Sequence, residues 1–268
     1  MKFGVILPGG SAVEQLEQAV LAEESGWDGV FAWEAAYGVD PWGLLTAVAA
    51  RTSRVRLGTM LTPLPWRRPW KVASQVATLD QISGGRAILA VGLGATETDL
   101  PRTGEELDLR TRAAMLDEGI DLIRELWAGR SQYHGVQYDY ECARDDLAKV
   151  GRPVQERIPI WVVGAWPRPK SMRRVLRCDG VLPQFESGGP EEMRVLRTWL
   201  TSQGMAPGFD VIAEGETRPG NQEDVVRVAG WAEAGATWWL ETRWEMPHHS
   251  PERMQQVRTR IAAGPPTN

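Results

Sequence analysis

Residues 55–94 read VRLGTMLTPLPWRRPWKVASQVATLDQISGGRAILAVGLG, and this stretch decides the fold. A β-rich run, Val55–Leu61, enters a loop dense in Pro and Arg. A helical run, Trp70–Ile82, follows; Gly84-Gly85 breaks it, and the apolar run Ala87–Gly92 leads into Leu93-Gly94. This is one strand–loop–helix–turn–strand unit with a parallel crossover. The long connection lies where the strand ends and the short turn where the helix ends. Ligands in α/β folds bind beyond the carboxyl ends of strands, so the elaborated side is the expected working face.

The same alternation runs through the chain. Strands are expected at Phe3–Leu7, Gly29–Trp33, Val55–Leu61, Ala87–Gly92, Ile158–Val163, Gly180–Pro183, Phe209–Glu214 and Thr237–Glu241. Helices are expected between and after them, with Gly26 closing the first and Asp40-Pro41 opening the second as N-cap and first helical residue. Eight strands alternating with eight helices predict a (β/α)8 TIM barrel, one domain over residues 1–268, in preference to an open doubly wound sheet. The strands are nearly all apolar, as parallel strands covered on both faces should be. Trp238-Trp239 alternate in and out of the last strand and read as core. Ala128–Arg157 breaks the rhythm; its SQYHGVQYDYE, Ser131–Glu141, reads as a hairpin around Gly135.

The formal net charge is −5 and the basic residues are scattered, which argues against nucleic acid as a partner. No apolar run approaches the length of a membrane span. The two cysteines, Cys142 and Cys178, with no signal-like N-terminus, predict reduced thiols in the cytoplasm. No metal is expected: neither cysteine has a Cys or His companion at ligand spacing, and His248-His249 read as surface residues.

The face at the strand ends is rich in Gly and in aromatic side chains, including Trp33, Tyr37, Trp66, Trp166, Phe185 and Trp244. It has no nucleophile–His–acid set, since His134, His248 and His249 all lie in loops, so triad hydrolysis is poorly supported. An organic cofactor would supply the missing reactivity. Glu34, directly after the second strand, reads either as an acid toward a ligand or as a carboxylate paired with a nearby Arg. Glu97 either faces the same pocket or sits in a solvated loop. Arg67-Arg68 either hold an anionic ligand or pair with acids such as Glu105 or Glu106. Gly92-Leu93-Gly94 lacks dinucleotide-fingerprint spacing, so a Rossmann reading fails. Gly164-Ala165-Trp166 with Ser171 opens a short helix, either a phosphate seat or a plain turn.

At these residues the chain resembles the luciferase-like flavin-dependent oxidoreductases, the superfamily of bacterial luciferase and the coenzyme F-420-dependent reductases. The resemblance rests on SGWDGVFAWE, on the run from Asp40 to Gly94, on GEELDLRTRAAMLDEGIDLIRELWAG, PIWVVGAWP and RCDGVLP, covering most of residues 1–185 in order. It implies a barrel that binds reduced FMN or coenzyme F-420 at its upper face. The ring region would fall at Glu34, Thr59, Met60, Leu61, Thr62, Gly92, Leu93 and Gly94, and the tail phosphate at Gly164, Ala165, Trp166 and Ser171. A non-proline cis peptide is expected around Gly58–Leu61. Relatives carry Asp-His where this chain has Glu34-Ala35, so a His relay is absent there and Glu34 is the expected catalytic acid. Trp33, Tyr37, Trp66, Arg67 and Glu97 would wall the substrate pocket. The chain is short for the family, which leaves the pocket open or covered by Ser131–Glu141. The first expectation is monooxygenation of a small organic substrate with reduced FMN, served by a separate flavin reductase. Deazaflavin hydride transfer is the alternative; a non-catalytic flavin-binding barrel and a barrel enzyme acting on a phosphorylated metabolite are the rivals. A homodimer follows from the resemblance alone.

Overall fold

A computed structural model of the chain describes residues 1–96, 104–143, 152–242 and 250–267. The eight barrel strands are β1 (Lys2–Ile6), β2 (Gly29–Ala32), β3 (Arg56–Thr59), β4 (Ala87–Gly92), β5 (Ile160–Ala165), β6 (Gly180–Gln184), β7 (Asp210–Gly215) and β8 (Trp238–Glu241). The helices that follow them are α1 (Ala12–Glu24), α2 (Pro41–Arg51), α3 (Pro69–Ser83), α4 (Leu109–Trp127), α5 (Pro169–Val175), α6 (Pro190–Ser202), α7 (Gln222–Glu233) and α8 (Pro251–Ala262). Every neighbouring pair of barrel strands is parallel, and β8 pairs back on β1 with Phe3 opposite Trp239 and Val5 opposite Glu241. The closed (β/α)8 barrel expected from the alternation is therefore the observed architecture.

Local chemistry places the helix starts. Ser11 and Glu14 form a reciprocal capping box at α1. Asp40 accepts the Gly43 N–H at 2.6 Å with Pro41 next to it, as the dipeptide predicted. Gly84 ends α3 in the left-handed region, φ 66°, where a side chain would be disfavoured.

Successive side chains alternate between two apolar layers. Val5, Val30, Leu57, Leu89, Val162, Val181, Val211 and Trp239 face outward against the helices. Ile6, Phe31, Met60, Ile88, Ala90, Trp161, Ile212, Trp238 and Leu240 fill the barrel interior. Phe31, Trp161 and Trp238 pack ring against ring, Trp161 to Trp238 at 5.3 Å, and form a solid plug. Both indole N–H groups of Trp161 and Trp238 donate to Asp210 at the lower end of β7. The plug forces small residues opposite it: a Cβ on Gly4 would lie 2.7 Å from Leu240 and 2.9 Å from Phe31. With the interior closed below, the space for a ligand is at the other end, above Met60 and Leu61.

The hairpin forms, with Gln132–His134 antiparallel to Asp139–Glu141. It packs on the outside of α3 and α4. Glu118 accepts the backbone N–H groups of Val136, Gln137 and Tyr138, and Tyr140 stacks on Trp70 at 5.6 Å. The Glu118 carboxylate binds its turn to the flank of α4, and none of its residues lines the cavity at the strand ends. Among the described residues no helix is long and apolar enough to cross a membrane, and no group of three or more His, Cys, Asp or Glu is placed to hold a metal.

Candidate functional site

A cavity of about 1220 Å³ opens at the carboxyl ends of the strands. Its walls come from the loop after β2 (Trp33, Glu34, Tyr37), from Met60 and Leu61 after β3, and from Leu93 to Thr96 after β4. Ala165, Ser171 and Arg174 close one side, and Leu182, Pro183 and Glu214 close the other. The volume exceeds what a small metabolite needs and is at the upper end for a cofactor-sized ligand.

The β3 end carries the shape of the site. The Met60–Leu61 peptide is cis and not followed by proline, inside the interval expected from the sequence. Beyond it, Thr62-Pro63 pairs alongside β4, Thr62 opposite Val91. A 3-10 turn, Leu64–Trp66, then delivers Arg67 back toward β2.

Glu34 is 6% exposed and fully engaged. Arg67 Nη1 lies 2.5 Å from Oε1, and Thr62 Oγ1 donates to Oε2 at 2.7 Å. Thr59 Oγ1 sits 2.9 Å from Thr62 Oγ1, and Arg67 is braced by Gln75 at 2.8 Å. Burial raises the Glu34 carboxyl above its ordinary value; Arg67 and Thr62 pull it down, but burial outweighs them. Glu34 is thus paired with an arginine and also lines the cavity.

Two arginines form the opposite pole. Arg174 is held bidentate by Asp117, with both N–O distances 2.8 Å. Arg112 is 5% exposed, lies over the Trp66 ring at 5.5 Å and donates to the carbonyls of Leu93 and Gly94. Its Nε is buried with no partner among the described residues. A buried donor beside an open cavity is costly unless a ligand accepts from that region, which fits an anionic group there.

The luciferase-like monooxygenase family profile matches residues 1–261. The chain belongs to that family. The F420-dependent glucose-6-phosphate dehydrogenase of Amycolatopsis mediterranei is 37% identical over 162 residues, covering 57% of this chain and 47% of that protein. The 5,10-methylenetetrahydromethanopterin reductase of Archaeoglobus fulgidus is 30% identical over 199 residues, covering 74% of this chain and 56% of that protein. The chain thus spans about half the length of the curated relatives it matches. Among solved structures, a monooxygenase from Streptomyces bottropensis superposes with TM-score 0.73 at 21% identity, over 97% of this chain and 98% of that one; it shows the same fold.

Within this luciferase-like barrel, the expected site residues take up different places. Trp33, Glu34, Tyr37, Met60, Leu61, Leu93, Gly94, Ala165 and Ser171 line the cavity. Thr59, Thr62 and Arg67 stand behind Glu34 and fix it. Gly92 and Gly164 are set in packing: a Cβ on Gly92 would meet Leu61 at 3.0 Å, and one on Gly164 would meet Val175 at 2.8 Å. Trp66 backs the wall, its indole N–H donating to the Glu106 carbonyl, and Trp166 packs on Trp199 at 5.6 Å. Ser171 accepts the Ala165 N–H at 2.9 Å. Arg67 pairs with Glu34, not with Glu105 or Glu106, because the 3-10 turn aims it inward. Glu97, Trp244, His248 and His249 lie outside the described residues.

Arg112 and Arg174 were not singled out by the sequence reading. Arg112 had a visible signal: it sits one helical turn before Leu116 on the apolar stripe of α4, where a charge is out of place. Glu214 ends the expected strand Phe209–Glu214 on the working face, a carboxylate closing an apolar strand in the manner of Glu34. Glu241, in the neighbouring strand end, is instead consumed by Arg260 and Thr217 and is structural.

Proposed function

We propose that the protein is an oxidoreductase that binds coenzyme F-420 and transfers hydride to or from a small organic substrate. The observation that carries this reading is the cavity's polarity: an apolar floor of Met60, Leu61, Val163 and Leu182 beside the buried Arg112 and Arg174. A flat ring with an anionic tail matches that division. The residues fit the group, since the buried Arg112 Nε has no partner among the described residues and leaves that guanidinium a donor unsatisfied at this end of the cavity. The relative at 37% identity that is named F420-dependent supports F-420 over FMN. Reduced FMN with monooxygenation, the first expectation from sequence, stands as the second reading, supported by the family description and the Streptomyces monooxygenase fold.

When bound, the deazaflavin supplies or accepts the hydride. The chain's part is to orient, to exclude water and to manage a proton. Met60 and Leu61 present an apolar shelf at the end of β3. Glu34 holds or releases a proton at its carboxyl, and its raised value lets it do so nearer neutral pH than an exposed glutamate. Arg67 and Thr62 fix the rotamer, so that the acid does not wander.

The test is Glu34→Gln assayed under anaerobic conditions against a panel of alcohols, aldehydes and imines with F-420. Loss of turnover by about 100-fold or more, with cofactor affinity retained, is the expected result for an acid–base role. Unchanged turnover would remove Glu34 from the chemistry.

A further inference from the structure

We propose that Glu214 binds a positively charged amine on the substrate, so that the cavity's natural ligand is an apolar molecule carrying one basic nitrogen. The proposal deepens the oxidoreductase reading and rests on it.

Three observations carry it. Glu214 lies at the carboxyl end of β7 and lines the cavity beside Leu182 and Pro183 of β6. Among the described residues it makes no hydrogen bond or ion pair, whereas each of the other charged groups in the wall has at least one protein partner. Glu34 is held by Arg67 and Thr62, Arg174 by Asp117, and Arg112 by two backbone carbonyls. The arginines stand on α4 and α5, while Glu214 stands on β7, past β6; the cavity therefore has a cationic side and a separate anionic point.

The surroundings decide which ligand fits that point. Its place in the concave mouth raises the Glu214 carboxyl somewhat through partial desolvation, and among the described residues no cation offsets this. The Glu214 side chain is exposed to the cavity it lines, so its carboxylate meets whatever enters, and among the described residues no cation pairs with it. An ammonium group supplies both the charge and the donors; a hydroxyl supplies a donor only; a carboxylate or phosphate is repelled. With the anionic tail of the cofactor directed to the arginines, Glu214 is left to the substrate.

The experiment titrates benzylamine and benzyl alcohol, equal in size and shape, into the full chain by calorimetry at neutral pH. Wild type, Glu214→Gln and Glu214→Asp are compared, and each is also titrated with F-420 and FMN. Benzylamine is expected to bind roughly tenfold or more tightly than the alcohol to wild type, the size of a charge-assisted hydrogen bond. Gln should erase that preference, Asp should keep part of it, and cofactor affinity should stay within about twofold across the three. An amine preference absent from wild type, or surviving in the Gln variant, overturns the proposal. A Gln variant that loses cofactor affinity overturns it as well, since Glu214 would then contact the ring. If wild type binds neither cofactor yet shows the Glu214-dependent amine preference, the amine site stands and the oxidoreductase reading falls.

Discussion

Replacing Arg67 with Met removes the cation from Glu34 while keeping most of the side-chain volume. The buried pair, with side-chain exposures of 26% and 4%, suggests a cost at the upper end for an ion pair. An internal limit applies, however. Glu34 can escape by taking up a proton, and its ordinary value is 4.5. Holding a carboxyl protonated costs about 1.4 kcal/mol per pH unit, so the electrostatic penalty at pH 7 cannot exceed about 3.4 kcal/mol. Because the folded value in the native protein already lies above 4.5, the penalty should be smaller, about 1–3 kcal/mol. The sign follows from the raised value. Below about pH 4.5 the carboxyl is protonated in folded and unfolded chains alike, and the variant should lose only packing and the Gln75 hydrogen bond. As pH rises through the native folded value the deficit should grow, then level off once the variant's own, higher value is passed. Urea denaturation of both proteins from pH 5 to pH 8 measures it. The double variant Arg67→Met/Glu34→Gln should recover most of the loss at pH 7, since no charge is left unpaired. A deficit that is flat with pH, or a double variant no more stable than the single one, would refute the pairing argument.

Further outcomes follow from the same geometry. Gly94→Ala would place a Cβ 2.2 Å from the Trp66 ring at φ 79°, and should cost about 2–4 kcal/mol in denaturant unfolding while weakening cofactor binding through the displaced Arg112. Arg112→Gln should lower affinity for F-420 by roughly tenfold and flatten its salt dependence, read by titration at low and high salt; an unchanged affinity would put the tail elsewhere. Cys178 is 5% exposed and its thiol is pushed up to about 11 by burial, so iodoacetamide at pH 8 should modify Cys142 in the native protein and both cysteines in urea. Equal labelling of the two in the native state, by mass spectrometry, would mean the α5–β6 turn opens freely.

The barrel was legible because its evidence is local. The alternation around Val55–Gly94, the Asp40-Pro41 start and the Gly84-Gly85 stop each specify a segment without reference to distant residues. The in-and-out pair Trp238-Trp239 could be read from the strand period alone, and the two indoles do fall in different layers. The site was half legible for the same reason. A residue at a strand end, such as Glu34, is placed by the topology of the fold. What it pairs with is not: Arg67 reaches it across 33 positions through a 3-10 turn whose direction no periodicity encodes. Arg112 was hidden by its helix, since an apolar stripe draws the eye to Leu116 and Ile120 and past the charge that shares their face. The packing at Gly92 and Gly164, where a Cβ would meet Leu61 or Val175, is a tertiary fit that shows only in distances. The hairpin was foreseen as a hairpin, while its seat on the flank of α4 depends on the Glu118 carboxylate meeting three backbone N–H groups, a tertiary fit with no sequence signature.

The central claim is that a tricyclic redox cofactor rests in the mouth of this barrel with its anionic tail toward Arg112 and Arg174. The direct measurement is a pair of fluorescence titrations of the purified chain with coenzyme F-420 and with FMN. One-to-one binding of F-420 at about micromolar or tighter is expected, weakened in Arg112→Gln. No saturable binding of either molecule up to about millimolar concentration would contradict it.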